Sequence, residues 1–222
     1  MRRTLVVLAA LAATAPLSAS LSAQVQSKDP TTAVAAAPVP EGWAVRMDDK
    51  DASKTAKFVT MGPGYHVTSG GAGIYYRPKD TQKGDFMVSA NFRQTAKNVG
   101  HGDHGEAFGV FTGGRDLNDP AKQSYLYFLV RQDGMFLVNH RAGPDVHKLV
   151  EWTASPAIHK FDDMPNASND LAIKVGADSI RFLVNGTQVH AVASSAYLAA
   201  GESGFRINHN LDVHVAKFEV KK

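Results

Sequence analysis

The sequence predicts an all-β protein built from short antiparallel strands. Short runs of alternating apolar and polar residues recur from Trp43 to the end of the chain, with turn residues between them. None of these runs shows the 3.6-residue apolar period of a long amphipathic helix. The dipeptides Asp133-Gly134 and Asn185-Gly186 each separate two alternating runs, which is the strongest short-range signal for a β-hairpin. Together these features indicate an antiparallel sandwich or barrel.

The start of the chain predicts an export signal over residues 1–23. Arg2 and Arg3 form a charged beginning, residues 5–15 are apolar but too few to span a bilayer well, and small residues follow up to Ala23. Cleavage near Ala23 would leave no membrane span, so we expect a periplasmic or extracellular protein. An uncleaved anchor or a buried N-terminal helix is the alternative interpretation.

Composition excludes several classes of function. The chain has no cysteine, which excludes disulfides, a lipid-anchored cysteine and thiol catalysis. It has 24 Lys and Arg against 21 Asp and Glu, and two of the arginines leave with the export signal. No dense basic stripe remains, so nucleic acid is not an expected partner. Neither a G-x-S-x-G nucleophile motif nor a glycine-rich phosphate loop is present.

The rest of the chain divides into a leader and a folded body. Residues 24–42 are rich in Ala, Pro and Thr without helix or strand periodicity, and they are predicted to form a flexible leader. Residues 43–222 suit a single domain with its own core.

Fourteen runs in this body are predicted strands. The first four are short, and glycine turns separate the second from the third and the third from the fourth. The fifth and sixth runs alternate, and a glycine pair follows the sixth. The hairpin dipeptides join the seventh run to the eighth and the eleventh to the twelfth. The remaining runs show the same apolar alternation and are separated by segments rich in turn residues. A short helix at 154–161 or 194–200 is the alternative to an irregular loop there. The predicted strands are residues 43–47, 58–60, 65–68, 74–76, 86–92, 108–112, 125–131, 135–141, 149–152, 171–175, 180–184, 187–192, 204–207 and 211–220.

The seventh predicted strand carries a first candidate binding surface. Alternation places its leucine, phenylalanine and valine residues on one face, and Tyr125, Tyr127 and Arg131 on the other. Tyrosines and an arginine on the face away from a core are not needed for folding. Such groups suit sugars, because aromatic rings stack on CH faces while guanidinium groups meet hydroxyls.

A second candidate surface lies in the C-terminal region. If residues 204–220 form one extended run, Arg206, Asn208, Asp212 and His214 share the parity opposite to the apolar residues. The polar face of the predicted strand 86–92 would merge with them if the strands are neighbours. A turn at residues 208–210 would break that parity, and an ordinary solvated face is the competing interpretation. The predicted ligand-binding residues are Tyr125, Tyr127, Arg131, Arg206, Asn208, Asp212 and His214.

The segment His101-Gly-Asp-His-Gly-Glu106 is the one place where metal or acid–base chemistry is suggested. It brings two histidines together with Asp103 and Glu106. Its spacing matches no standard zinc motif, and a polar loop leading into a strand is the competing interpretation. A divalent metal held by His101, His104 and Glu106 is the one cofactor that the sequence suggests. Asp103, His104 and Glu106 are the candidate acid–base residues.

The body also resembles a known superfamily, the concanavalin A-like lectins and glucanases. Within it, the chain resembles bacterial exported domains of the 3-keto-disaccharide hydrolase-like group. The resemblance is carried by Gly-Ile-Tyr-Tyr at 73–76, Ala-Phe-Gly-Val-Phe-Thr-Gly-Gly at 107–114, the hairpin at 125–141, Phe-Leu-Val-Asn-Gly at 182–186, and residues 204–208 followed by 211–214.

This resemblance implies a jelly-roll sandwich of two antiparallel sheets whose concave face is available to carbohydrate. It also implies an activity on glycosides oxidised at C3. The five glutamates of the chain are isolated, so the carboxylate pair of an ordinary retaining glucanase is not visible. We therefore expect an exported domain that binds or processes carbohydrate. A hydrolase or lyase of 3-keto-glycosides and a non-catalytic cell-envelope interaction protein are the alternatives.

Overall fold

The alternating runs form strands in the computed structural model, which describes residues 38–49, 51, 56–95, 105–161 and 167–222. These residues lie in the compact unit Ala35–Lys222. They contain no α-helix, and none of their elements is a helix long and apolar enough to cross a membrane. The strands are β1 (Ala44–Met47), β2 (Lys57–Met61), β3 (Gly64–Ser69), β4 (Gly73–Tyr76), β5 (Phe86–Gln94), β6 (Ala107–Arg115), β7 (Ser124–Arg131), β8 (Met135–Ala142), β9 (Asp145–Ala154), β10 (Ser168–Val175), β11 (Ser179–Val184), β12 (Thr187–Ala193), β13 (Glu202–Ile207) and β14 (Leu211–Lys221).

The strands form two seven-stranded antiparallel sheets. Sheet A has the order β1-β4-β13-β6-β7-β8-β9, and sheet B has the order β12-β11-β10-β5-β14-β3-β2. This arrangement confirms the predicted two-sheet β-sandwich of the jelly-roll class. It leaves each sheet with one face toward the core and one face outward.

Both predicted hairpins are present, with different turns. Asn185 and Gly186 have φ values of 50° and 80°, the pair of positive values that a type I′ turn requires. The β7–β8 loop is three residues long. The Gly134 amide donates to the Arg131 carbonyl at 3.1 Å, and Gly134 alone adopts a positive φ, 94°.

Aromatic side chains fill the space between the sheets. Phe205 of sheet A stacks on Tyr75 with ring centroids 5.1 Å apart, and its ring also contacts Trp43 at 5.2 Å. From sheet B, Phe58 and Phe92 approach the same ring at 5.8 and 6.3 Å. These rings are buried, so the hydrophobic effect and ring–ring contacts hold the two sheets together.

The C-terminal run does not continue through residues 208–210. β13 ends at Ile207 in sheet A, and β14 begins at Leu211 in sheet B. Asn210 adopts a left-handed φ of 55°, which Asn tolerates better than most residues and which reverses the chain. The expectation of one extended strand is therefore wrong. A single 3-10 turn, Ser194–Ala196, lies within one of the two segments proposed as helical, and residues 155–161 of the other form turns and irregular backbone without a helix.

Candidate functional site

The outer face of sheet A carries a second apolar cluster, separate from the core. Strand register places Arg46, Ile74, Arg206, Gly109 and Leu129 in line across five neighbouring strands. Around this line the face is built from closely packed aromatic and aliphatic side chains. The buried members are Ile74, Tyr76, Ala107, Phe111, Leu117, Tyr125, Tyr127, Leu129 and Leu137.

Two arginines and one carboxylate form the centre of this face. Arg46 Nη1 donates to Asp48 Oδ1 at 2.9 Å, and Arg206 Nη2 donates to Asp48 Oδ2 at 2.5 Å. Arg46 Nη2 also donates to Gln123 Oε1 at 2.5 Å. Gln123 is buried and donates to the Pro120 and Gly143 carbonyls, so the β6–β7 connection holds this end of the network.

The tyrosines of β7 extend the network across the sheet. Arg206 Nη1 donates to the Tyr125 hydroxyl at 3.2 Å, and its guanidinium lies 5.6 Å from the centroid of the Tyr127 ring. Asn139 of β8 donates to the Tyr127 hydroxyl at 3.0 Å. Planar amide, guanidinium and phenol groups are thereby fixed in one continuous surface from β1 to β8.

The charges on this face are stable near neutral pH. Burial alone would raise the pKa of Asp48, but the positive charges and hydrogen bonds of Arg206 and Arg46 hold it below its ordinary value. Burial opposes the charge on Arg206, yet Tyr125 and Asp48 raise its pKa above the ordinary arginine value. Burial raises the pKa of the Tyr127 hydroxyl. Asp48 therefore stays ionised and does not serve as a proton donor.

Trp152 and Arg131 lie at the β9 side of the same face. The Arg131 guanidinium stands 4.8 Å from the centroid of the Trp152 ring and forms an ion pair with Asp133. The ring is half-buried. A half-exposed indole beside a fixed cation offers a flat apolar surface with a polar border.

Four of the seven predicted ligand-binding residues lie on this outer face. They are Tyr125, Tyr127, Arg131 and Arg206. Asn208 follows the end of β13, where its amide donates to the Ala107 carbonyl. Arg46, Asp48, Gln123 and Asn139 were not predicted, because their strands and loops come together with β7 only in the folded sheet.

Asp212 and His214 lie on the outer face of sheet B instead. The expectation that they share a surface with Tyr125 and Tyr127 is wrong, because β14 pairs with β3 and β5 in sheet B. The polar face of β5 belongs to that sheet as well. Asp212 accepts hydrogen bonds from Thr68 at 3.1 Å and from Thr95, and its Oδ1 lies 3.1 Å from His66 Nε2.

The candidate metal segment is described only in part. His101, Asp103 and His104 lie outside the described residues. Glu106 is buried, and its Oε1 lies 2.7 Å from Nδ1 of the half-exposed His209. Within the described part of the chain, no group of three or more potential ligand side chains is arranged to hold a metal ion.

Comparison with solved structures finds the same fold in several other proteins. The carbohydrate-binding module CBM66 from Bacillus subtilis matches with a TM-score of 0.61 and 10% identity, over 82% of this chain and 96% of that one. A Bacillus licheniformis β-glucanase matches at 0.56 and 12%, over 84% and 95%. A Bacillus subtilis protein of unknown function with a galectin-like fold matches at 0.57 and 15%, over 81% and 88%.

These likenesses support a jelly-roll β-sandwich fold. No protein-family model matches the chain, and no curated protein matches its sequence. At such low identities the shared property is the fold, and function must be argued from the site.

Proposed function

We propose that this protein is a carbohydrate-binding domain whose ligand lies across the outer face of sheet A. The observation that carries this proposal is the continuous network of Arg46, Asp48, Arg206, Tyr127 and Asn139 on that face. Fixed planar donors and acceptors beside aromatic rings match the alternating hydroxyl and CH surfaces of a sugar. The jelly-roll fold shared with a carbohydrate-binding module and a glucanase supports the same conclusion.

Binding accounts for this face better than hydrolysis does. Glycoside hydrolysis ordinarily needs one carboxylic acid that donates a proton and a second carboxylate. Asp48 accepts hydrogen bonds from Arg46 and Arg206, and its lowered pKa keeps the carboxylate ionised. We therefore assign Asp48 the role of orienting Arg46 and Arg206 toward the ligand.

Processing of 3-keto-glycosides is the second candidate function. It is favoured by the pair of Glu106 and His209, because a buried carboxylate 2.7 Å from a half-exposed imidazole orients that ring for proton transfer. The resemblance to 3-keto-disaccharide hydrolase-like domains points in the same direction. Release of the two sugar products from a 3-keto-disaccharide, abolished by Glu106→Gln, would support this activity. Unchanged turnover in that variant would remove Glu106 from the chemistry.

We also propose that the protein acts outside the cytoplasm. The basis is the N-terminal pattern of Arg2, Arg3 and the apolar residues 5–15. Intact-mass measurement of protein from the periplasm or medium should give a chain that begins near Gln24. Recovery of the uncleaved chain from the cytoplasm alone would contradict this proposal.

Calorimetric titration of the chain from Gln24 onward with a glycan panel tests the binding function. The panel contains glucans, plant oligosaccharides and 3-keto-glycosides. Arg206→Gln removes the central cation, and we expect affinity for the bound glycan to fall by about tenfold or more, since hydrogen bonds to charged groups contribute roughly 1.5–3 kcal/mol.

Arg93→Gln is the matched control, because Arg93 is an exposed arginine on the outer face of sheet B. Its affinity should equal that of the wild type. Equal losses in both variants, or no loss in Arg206→Gln, would contradict the assigned face. No heat with any glycan would favour a cell-envelope interaction protein that uses the same surface.

A further inference from the structure

We propose that the ligand of the outer face of sheet A is an acidic glycan, in which sugar rings carry a carboxylate or sulfate group. This inference rests on the proposed function and specifies its ligand class. It follows from the balance of charge on the face and from three buried polar atoms that have no hydrogen-bond partner in the part of the chain that the structure describes.

Positive charge predominates at the centre of the face. Arg206 and Arg141 lie near Tyr127, and Asp48 joins Arg206 to Arg46 by binding both guanidinium groups. The charges of Arg206 and Arg141 both reach the Tyr127 hydroxyl. Arg141 extends from β8, where its Nη1 donates to the Pro144 carbonyl at 3.1 Å. One carboxylate therefore stands against three guanidinium groups.

The other charged groups do not correct this excess. Arg131 is already paired with Asp133, so that pair adds no net charge. Glu202 shares the outward parity of Arg206, but it lies four residues before Arg206 in β13, close to Asp116. Burial and the Asp116 carboxylate raise the pKa of Glu202, which shows that negative charge is disfavoured at that end of the face. An anionic group is accommodated among the arginines instead.

Unpaired buried atoms supply the second observation. Arg46 Nε and Arg141 Nε are buried donors, and Asn139 Oδ1 is a buried acceptor, with no hydrogen-bond partner among the described residues. The side chain of Arg46 is only 10% exposed, and Asn139 is 7% exposed. Leaving such groups unpaired is unfavourable, more so when they are charged, so a ligand whose groups reach them is stabilised.

The unpaired set matches an acidic sugar better than a neutral one. Each of the two guanidinium donors, one on β1 and the other on β8, suits an oxygen of a carboxylate or sulfate group, which binds the planar arginine fork through charge-assisted hydrogen bonds. The Asn139 oxygen suits a sugar hydroxyl, which donates. The half-buried ring of Trp152, at the β9 side of the face, provides an apolar contact that a free anion would not need.

Titration with matched pairs of glycans tests the inference. One pair is oligogalacturonate and its methyl ester, and the other is dextran sulfate and dextran. Each pair differs mainly in charge, and the two pairs separate a carboxylate from a sulfate. We expect the charged member of at least one pair to bind about tenfold or more tightly, with affinity falling as salt is raised.

Two variants locate that preference. Arg141→Gln should reduce the preference for the charged member several-fold, because it removes one guanidinium that is not in an ion pair among the described residues. Arg93→Gln on sheet B should leave the preference unchanged. Equal loss in both variants would show diffuse electrostatic attraction and overturn the inference.

The remaining outcomes separate the two proposals. If neutral glycans bind on the Arg206 face as tightly as their acidic counterparts, carbohydrate binding stands and the acidic-ligand inference is wrong. If neither acidic nor neutral glycans bind, the proposed function fails together with the inference.

Discussion

Arg206 links most of the functional groups on the outer face of sheet A. It binds Asp48 and Tyr125 directly and places its guanidinium over the ring of Tyr127. Its side chain is 11% exposed. Because a buried guanidinium must be compensated locally, Asp48 has a structural role as well as a role in orienting Arg206.

Replacement of Asp48 by Asn should destabilise the protein by about 1–3 kcal/mol at pH 7, since Arg206 and Arg46 would lose their charged acceptor. Urea unfolding measures this change. The pKa of Asp48 is lowered in the fold, so its contribution is fully present above the unfolded Asp pKa of about 3.9 and is lost as pH falls below that value. Asp133→Asn is the control. Asp133 is an exposed carboxylate paired with Arg131, so this substitution should lower stability by less than about 1 kcal/mol.

His140 should make stability sensitive to mild acid. Burial lowers its pKa, and the charges of His147 and Arg115 lower it further. The folded state therefore binds fewer protons than the unfolded state below the ordinary His pKa of about 6.5, and stability falls as pH decreases through that range. His140→Gln should show a smaller loss of Tm between pH 7 and 5 than the wild type. His159→Gln, at an exposed histidine, is the control. If the change of Tm with pH were the same in His140→Gln as in the control and the wild type, this assignment would be contradicted.

Among the elements, the strands and hairpins were predictable and their assignment to sheets was not. Apolar alternation marked most of the strands, and the Asn-Gly and Asp-Gly dipeptides marked two of the turns. The same alternation could not show that β13 and β14 lie in different sheets, because a single residue with a left-handed φ, Asn210, redirects the chain. For this reason the sequence alone cannot separate Arg206, which lies in sheet A, from Asp212 and His214, which lie in sheet B.

The β11–β12 hairpin depends on Asn185 for more than its turn. Besides its positive φ, its Oδ1 accepts from the Asp170 amide at 2.8 Å, and its Nδ2 donates to the Ala157 carbonyl at 2.8 Å and to Asn169 Oδ1 at 2.9 Å. One side chain therefore connects this hairpin to β10 and to the segment after β9.

Asn185→Ala should lower stability by about 2–3 kcal/mol, because it combines left-handed strain with loss of three hydrogen bonds. For a domain of this size, the Tm should fall by roughly 4–12 °C in a calorimetric scan. Asn185→Gly is the matched control, since glycine adopts the positive φ of this position without strain but has no side chain to form the hydrogen bonds. If glycine restored full stability, the hydrogen bonds would have no net value.

At the scale of the whole molecule, one core serves two unlike outer faces. The aromatic rings around Phe205 hold sheet A against sheet B, while Arg206, its neighbour in β13, points to the opposite side. The alternation of a single strand thus couples the core to the candidate site. The outer face of sheet B has its own polar cluster around Asp212, in which the carboxylate is saturated by threonine and histidine donors.

Phe205→Ala should destabilise the protein by about 3–5 kcal/mol, because the ring is fully buried between the sheets and leaves a cavity. Equilibrium urea unfolding gives this value. Phe205→Leu should cost less, since it retains part of the volume. Leu198→Ala, at a side chain that is 66% exposed, is the control and should change stability by less than about 0.5 kcal/mol.

The sequence by itself determined the all-β class, the positions of most strands, both hairpins and the tyrosine–arginine face of β7. These properties follow from local alternation and turn chemistry, which act between residues a few positions apart. Only the tertiary structure decided that Arg46, Asp48, Gln123 and Asn139 join Arg206 and Tyr127, and that Asp212 does not. The physical reason is that strand order and the change of sheet at Asn210 depend on packing and pairing between residues far apart in the chain.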